Sequence, residues 1–200
     1  MIPYLQTTSF TCASSSLLTV LHHFNPEIKL NKENEYDIWR KTALLPTRGT
    51  SLFALALYAQ KLGFKPKVIV ENTKYEFPDY RFYRYTKEEV EEAAFMSDIY
   101  LKDAEKEGIN IEVKEIDLAM IKEEIDDNNL LIIRVNAKPI RNEKRNTSNY
   151  IIVTDRRNGY FQIIDPKLGA LSIPENIFIE AFETLETKKY RHHRMIIFPN

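Results

Sequence analysis

QTTSFTCASSSLLTVLHHF, residues Gln6 to Phe24, carries the only cysteine of the chain at the point where an irregular polar segment gives way to an apolar run of helical period. Leu17, Leu18, Val20, Leu21 and Phe24 recur at spacings of three and four, which gathers them on one buried face. Ser14 to Ser16 are small enough to let that helix approach other backbone closely. Cys12 therefore falls in or just before the first helical turn, where unpaired N–H groups and the helix dipole favour an anion. This position is expected to lower the thiol pKa and make thiolate available near neutral pH. Gln6, six residues earlier, supplies a side-chain amide. Together with the backbone N–H of Cys12 it meets the donor requirement of an oxyanion hole for acyl transfer. The competing reading is a buried, inert cysteine near a helix start.

Gln-x5-Cys opening an apolar helix resembles the papain-like cysteine peptidases. Within them it looks most like the bacteriocin-processing type, which trims double-glycine leader peptides, and its soluble relatives. Family members usually carry Cys-Gly at this point, whereas this chain has Cys12-Ala13. The resemblance continues through EYDIWRKTA (35–43) and LFALALYAQKLGF (52–64) to a hairpin, SNYIIVTD (148–155) and YFQIIDP (160–166). It implies a papain-like α+β fold, with the cysteine helix packed on a mostly antiparallel sheet. It also implies that Asp165 is the residue that orients the catalytic imidazole. At the position where the family pattern has that histidine, this sequence has Asn149.

Two hundred residues fit one domain, here expected to span 1–200, and are ample to bury a core. Hydrophobic residues at 44% and charged residues at 28% are ordinary for a soluble globular protein. A net charge of −1 gives no global attraction to nucleic acid or anionic membrane. No apolar run approaches the roughly twenty residues that span a bilayer. MIPYLQ lacks a basic segment followed by an apolar stretch, so no signal peptide is expected and the cytoplasm is the default location. One cysteine excludes an intramolecular disulfide. The four histidines form two adjacent pairs, His22-His23 and His192-His193, whose members point to different faces, so no metal site is expected. No phosphate-binding glycine loop is present, and no cofactor is expected.

Along the chain, Asn25-Pro26 ends the first helix. Lys32 to Thr42 reads as a short helix, Thr47 to Ser51 as a polar turn, and Leu52 to about Leu62 as a deeply packed helix closed by Gly63. Lys67 to Glu71 reads as a strand. Tyr75 to Tyr85 is dense in aromatics and arginine without a clean period; it reads as core aromatics with solvated arginines rather than a base-stacking surface. Thr86-Lys87-Glu88-Glu89 is a capping box that starts a helix to about Lys106. Alternation at Ile109, Ile111 and Val113 predicts a strand, Asp117 caps a helix to about Asn128, and Leu130 to Val135 has the character of a central strand. Ala137 to Ser148 is a basic loop that could border a site. Tyr150–Thr154 and Tyr160–Ile164 form a hairpin around Arg157-Asn158-Gly159. A helix from Pro174 to about Leu185 precedes the basic run Lys188 to Arg194, read as a solvated edge, and a last strand, Met195 to Phe198.

Asn149 governs the functional expectation. A cysteine peptidase needs a base for the thiol proton and an acid for the leaving amine. Asn titrates nowhere near neutral pH and does neither, though it is able to hydrogen-bond both Cys12 and Asp165. His22 and His23 lie at least ten residues along the helix from Cys12, on the order of 15 Å at about 1.5 Å per residue, and are too distant to replace it. His192 or His193, just before the last strand, is a possible substitute. Three functions follow. The first is a degenerate Cys/Asn/Asp site that binds a peptide or protein segment with little or no proteolysis. The second is an active thiol hydrolase or acyl transferase with a relocated or missing base. The third is a structural protein in which Cys12 has no role.

Overall fold

The computed structural model describes residues 1–75 and 85–200. The interior of the aromatic and arginine run Tyr75–Tyr85 therefore lies outside the described residues. Helix α1 (Cys12–Phe24) begins at the cysteine. Its small residues do what their size allows. Ser14, Ser15 and Ser16 are buried, Ser15 Oγ donates to Tyr4 O at 2.6 Å, and Tyr4 N–H donates to Thr19 Oγ1 at 3.0 Å. The segment before the helix thus runs back along it.

Helix α2 (Lys32–Thr42) starts at an Asn31 cap that accepts from Asn34 N–H at 2.9 Å. The predicted polar turn after it is a small hairpin, β1 (Ala43–Leu44) with β2 (Gly49–Thr50). Helix α3 (Leu52–Lys61) is buried along most of its length and closes at Gly63, whose φ of +90° suits glycine. Strand β3 (Lys67–Val70) follows, then α4 (Lys87–Lys106) with the expected capping box and β4 (Asn110–Val113). Asp117 caps α5 (Leu118–Asp126), accepting from Met120 N–H at 2.8 Å. Strand β5 (Leu130–Asn136) runs into α6 (Ala137–Arg141), a short helix inside the stretch read as loop. Strands β6 (Ser148–Arg157) and β7 (Tyr160–Asp165) meet at the predicted turn, with φ +52° at Asn158 and +77° at Gly159. Strand β8 (Gly169–Pro174), not expected from the sequence, adds to β7; α7 (Glu175–Lys189) and β9 (Arg194–Phe198) complete the order.

Seven strands form one sheet in the order β4-β3-β9-β5-β6-β7-β8, antiparallel except for the β3/β4 pair. Alternation divides its side chains between two cores. Val68, Ile132, Ile152 and Ile196 face α1 and α3, while Ile69, Ile133, Ile151 and Met195 face α5 and α7. Each such fully buried side chain contributes about 1.5–3 kcal/mol of transfer free energy, which fixes the register that positions the end of β6 beside α1. No helix among the described residues is long and apolar enough to cross a membrane.

Candidate functional site

The approach to Cys12 is held by one carboxylate. Glu35 of α2, fully buried, accepts from the hydroxyls of Thr7 and Thr11 at 2.6 Å, from Thr7 N–H at 2.9 Å and from the Tyr4 hydroxyl at 3.1 Å. Burial, reinforced by Glu35, pushes the Tyr4 hydroxyl up to about 12. Because Thr11 turns to Glu35, α1 has no side-chain cap. Backbone N–H groups reach the Cys12 sulfur instead, from Tyr150 of β6 and from Ala13.

The thiol is half-buried, and its pKa departs from expectation. Burial raises it above the ordinary value. The Tyr150 N–H, the Arg141 guanidinium and the Ala13 N–H pull it down, and Asp165 adds a smaller upward push. Burial prevails. The lowered pKa expected from a helix start is therefore corrected, because desolvation of the thiolate exceeds what the helix end returns.

Gln6 lies on the same cleft as Cys12. Its N–H donates to Pro166 O at 2.7 Å, which ties it to the turn after β7. Its side-chain Nε2 donates to Thr8 O, also at 2.7 Å, leaving one amide hydrogen for a ligand. Oε1 is buried without a partner among the described residues.

Asn149 also lines the cleft. It pairs with Val135 across the β5/β6 ladder, and strand alternation sets it on the sheet face that carries Ile151, Ile163 and Asp165. The hydrogen bonds its amide is able to offer Cys12 and Asp165 are not made among the described residues. Asp165 is engaged elsewhere. Its Oδ2 accepts from Arg141 Nε at 2.9 Å, and its Oδ1 accepts from the N–H groups of Lys167 at 2.8 Å and Leu168 at 3.0 Å. The carboxylate orients a guanidinium, with the Arg141 side chain 5% exposed and Asp165 not at all. Arg141 sits in the basic loop of the sequence, and nothing there marks it as the residue that would be buried.

The four histidines are all described, and none lines the Cys12 cleft. His22 Nδ1 meets Ile28 O at 2.9 Å, and His23 is exposed on α1. The ring of His193 stacks on Phe182 at 3.7 Å, with Nε2 3.0 Å from Phe182 O and Nδ1 3.2 Å from Glu71 Oε1. His192 and His193 line a second cleft of about 530 Å³, with Glu71 and Glu186. There Glu71, Glu186 and His192 each offer one ligand atom within 4.8 Å of the others, an arrangement that the adjacency of the histidines did not suggest. Glu71 is already bonded to Ile116 N–H at 3.2 Å and His193 N–H at 2.7 Å. The basic run 188–194 is not the solvated edge expected of it. Lys188, Lys189 and Arg191 line the Cys12 cleft, and His193 and Arg194 are buried.

A cysteine at a helix start, facing paired strands across a cleft of about 1090 Å³, defines a cysteine-peptidase-like protein. Residues 2–184 match the peptidase C39-like family, and the chain belongs to it. Among solved structures, it is similar to a double glycine motif protease from an AMS/PCAT transporter, crystallised in complex with the leader peptide. That similarity has 15% identity and a TM-score of 0.51 over 100% of this chain and 93% of that one. A second is the peptidase domain of Streptococcus ComA, a bifunctional ABC transporter of a quorum-sensing pathway, at 14% identity and a TM-score of 0.46 over 100% and 98%. The first establishes the fold as that of the papain-like C39 peptidases: α+β, with the cysteine helix on a mostly antiparallel sheet. No protein of curated function matches the sequence.

Proposed function

We propose that this chain is a C39-like protein with a degenerate Cys12/Asn149/Asp165 site, which binds a peptide or protein segment in the Cys12 cleft with little or no proteolysis. The observation that carries this reading is the absence of any histidine from the cleft while all four are located elsewhere. Without an imidazole, the described lining lacks the group that such a site uses both to accept the thiol proton and to return one to a leaving amine. Arg141 is no substitute, since a guanidinium does not give up its proton near neutral pH. The upward-shifted thiol points the same way. Binding groups survive: a Gln6 amide hydrogen and the backbone N–H of Cys12. The double glycine motif protease bound to its leader peptide supports a peptide as the class of ligand.

The test is alkylation of Cys12 by iodoacetamide as a function of pH, in wild type and Asn149→His, with peptide cleavage followed in parallel by mass spectrometry. The expected wild type reacts slowly at neutral pH, speeds up only above the roughly 8.5 of a free thiol, and cleaves nothing. Asn149→His is expected to react faster at neutral pH. Cleavage by wild type that is lost in Cys12→Ala would instead establish an active thiol hydrolase.

A further inference from the structure

We infer that the ligand of the Cys12 cleft is an acidic peptide segment, held by a ring of cations that the near-neutral composition conceals. This rests on the reading of the cleft as a peptide site and adds the chemistry of the peptide. Nine lysine and arginine side chains line the cleft, against one carboxylate, Glu143, among the described residues. The chain as a whole carries −1, so the cations are concentrated here rather than abundant everywhere. The residues 76–84 contain two acids and two arginines and bring no net charge.

Several of these cations are already engaged. Lys167 pairs with Glu143 at 2.6 Å, Arg141 with Asp165, and Arg134 donates to the His192 carbonyl. Arg48, Lys144, Arg145 and Lys188 are exposed on the rim, and none of the four makes an ion pair among the described residues. They come from three separate parts of the chain: the β1/β2 hairpin, the loop after α6 and the end of α7. Like charges brought together from distant segments repel one another, and an arriving polyanion offsets that repulsion. On the floor, Arg141 Nη2 is buried and has no acceptor among the described residues. A carboxylate seated beside Cys12 supplies one.

The walls favour a peptide over a nucleic acid. Single-stranded nucleic acid gains much of its affinity by stacking bases on open aromatic faces. Of the four aromatics in the described lining, the Phe10 ring is taken, with Trp39 at 5.0 Å and the Arg48 guanidinium at 5.6 Å, Tyr150 is buried, and Tyr75, whose hydroxyl bonds Thr47 at 3.0 Å, and Tyr85 are half-buried. Strand β2, by contrast, lines the cleft and among the described residues is paired on one side only, to β1. An extended peptide is able to add to such an edge through its main chain while its acidic side chains meet the rim.

The experiment is fluorescence anisotropy with the full chain and labelled peptides of equal length: one alternating Glu and Ser, its Gln/Ser analogue, and an oligouridylate of matched length. The Glu/Ser peptide is expected to bind at least about tenfold tighter than the Gln/Ser analogue, an advantage lost on raising salt from about 50 to about 300 mM. The exposed double reversal Lys144→Glu/Arg145→Glu is expected to abolish the preference. Equal binding of the two peptides overturns the acidic-peptide inference and leaves the peptide site standing. No binding of either peptide overturns both. An oligouridylate that binds tighter than the Glu/Ser peptide overturns the inference in favour of nucleic acid.

Discussion

Arg141 and Asp165 form an almost solvent-free ion pair beside the thiol, and this pair gives the site its chemical character. Removing one partner of a buried pair leaves an uncompensated charge, which usually costs about 3–5 kcal/mol. Arg141→Gln is therefore expected to lower unfolding stability by roughly 3 kcal/mol or more, read from a urea denaturation midpoint. It also takes away one of the three influences that pull the thiol pKa down, so Cys12 of the folded variant should alkylate more slowly than wild type at any given pH. That Cys12 and Gln6 share a cleft was legible in the sequence because a fixed spacing and a helix start mark them, whereas Asn149 was singled out only by the resemblance of its hairpin to the family pattern. Arg141 was not, since an arginine among Lys, Asn and Glu reads as solvated. Its burial depends on a carboxylate 24 residues away, delivered by the end of β7. The direction of the thiol shift was misread for a related reason. A helix start is visible in sequence, whereas desolvation is set by the loops that close over it.

At the level of elements, α2 acts on the site from a distance through Glu35. Its carboxylate accepts four hydrogen bonds from the segment Tyr4–Thr11, so it sets the path of the chain into α1. Glu35→Gln exchanges one acceptor oxygen for a donor and leaves hydroxyls without partners in a buried place. The expected loss is about 2–4 kcal/mol in urea unfolding, accompanied by faster Cys12 alkylation as the loop loosens. Elements with strong punctuation were read closely from the sequence. The Thr86 capping box, the Asp117 cap and the Asn158-Gly159 turn each combine a conformational demand with a residue that meets it. The elements that were missed lack that agreement. Helix α6 contains Pro139 and spans five residues, and β8 ends in a proline with a run too short to show a period. Both owe their form to neighbours: α6 packs on α7, and β8 is templated by β7.

Across the molecule, charge is sorted rather than balanced. The cleft of Cys12 is cationic, and the smaller one is lined by five carboxylates and two histidines with no lysine or arginine among its described lining. Acid should expose the native carboxylate bonds. At Asp37, burial raises the pKa but hydrogen bonds from Lys41, Arg40 and Tyr58 outweigh it, bringing it from 3.8 to about 2. A carboxyl with a depressed native pKa stabilises the fold above its unfolded value and loses that contribution as pH falls. The urea midpoint is expected to drop between about pH 4 and pH 2, and Asp37→Asn is expected to flatten that drop. The sheet has its own asymmetry. Strand β9 is the last in sequence and yet lies between β3 and β5, bonded to both. Taken without β9, β3 with β4 and β5 through β8 would be two separate half-sheets, each with an unpaired apolar edge. Arg194 to Phe198 are what join the halves. A chain lacking β9 is therefore expected to present two sticky edges of the sort that chaperones shield, closed only when that strand slots into the seam.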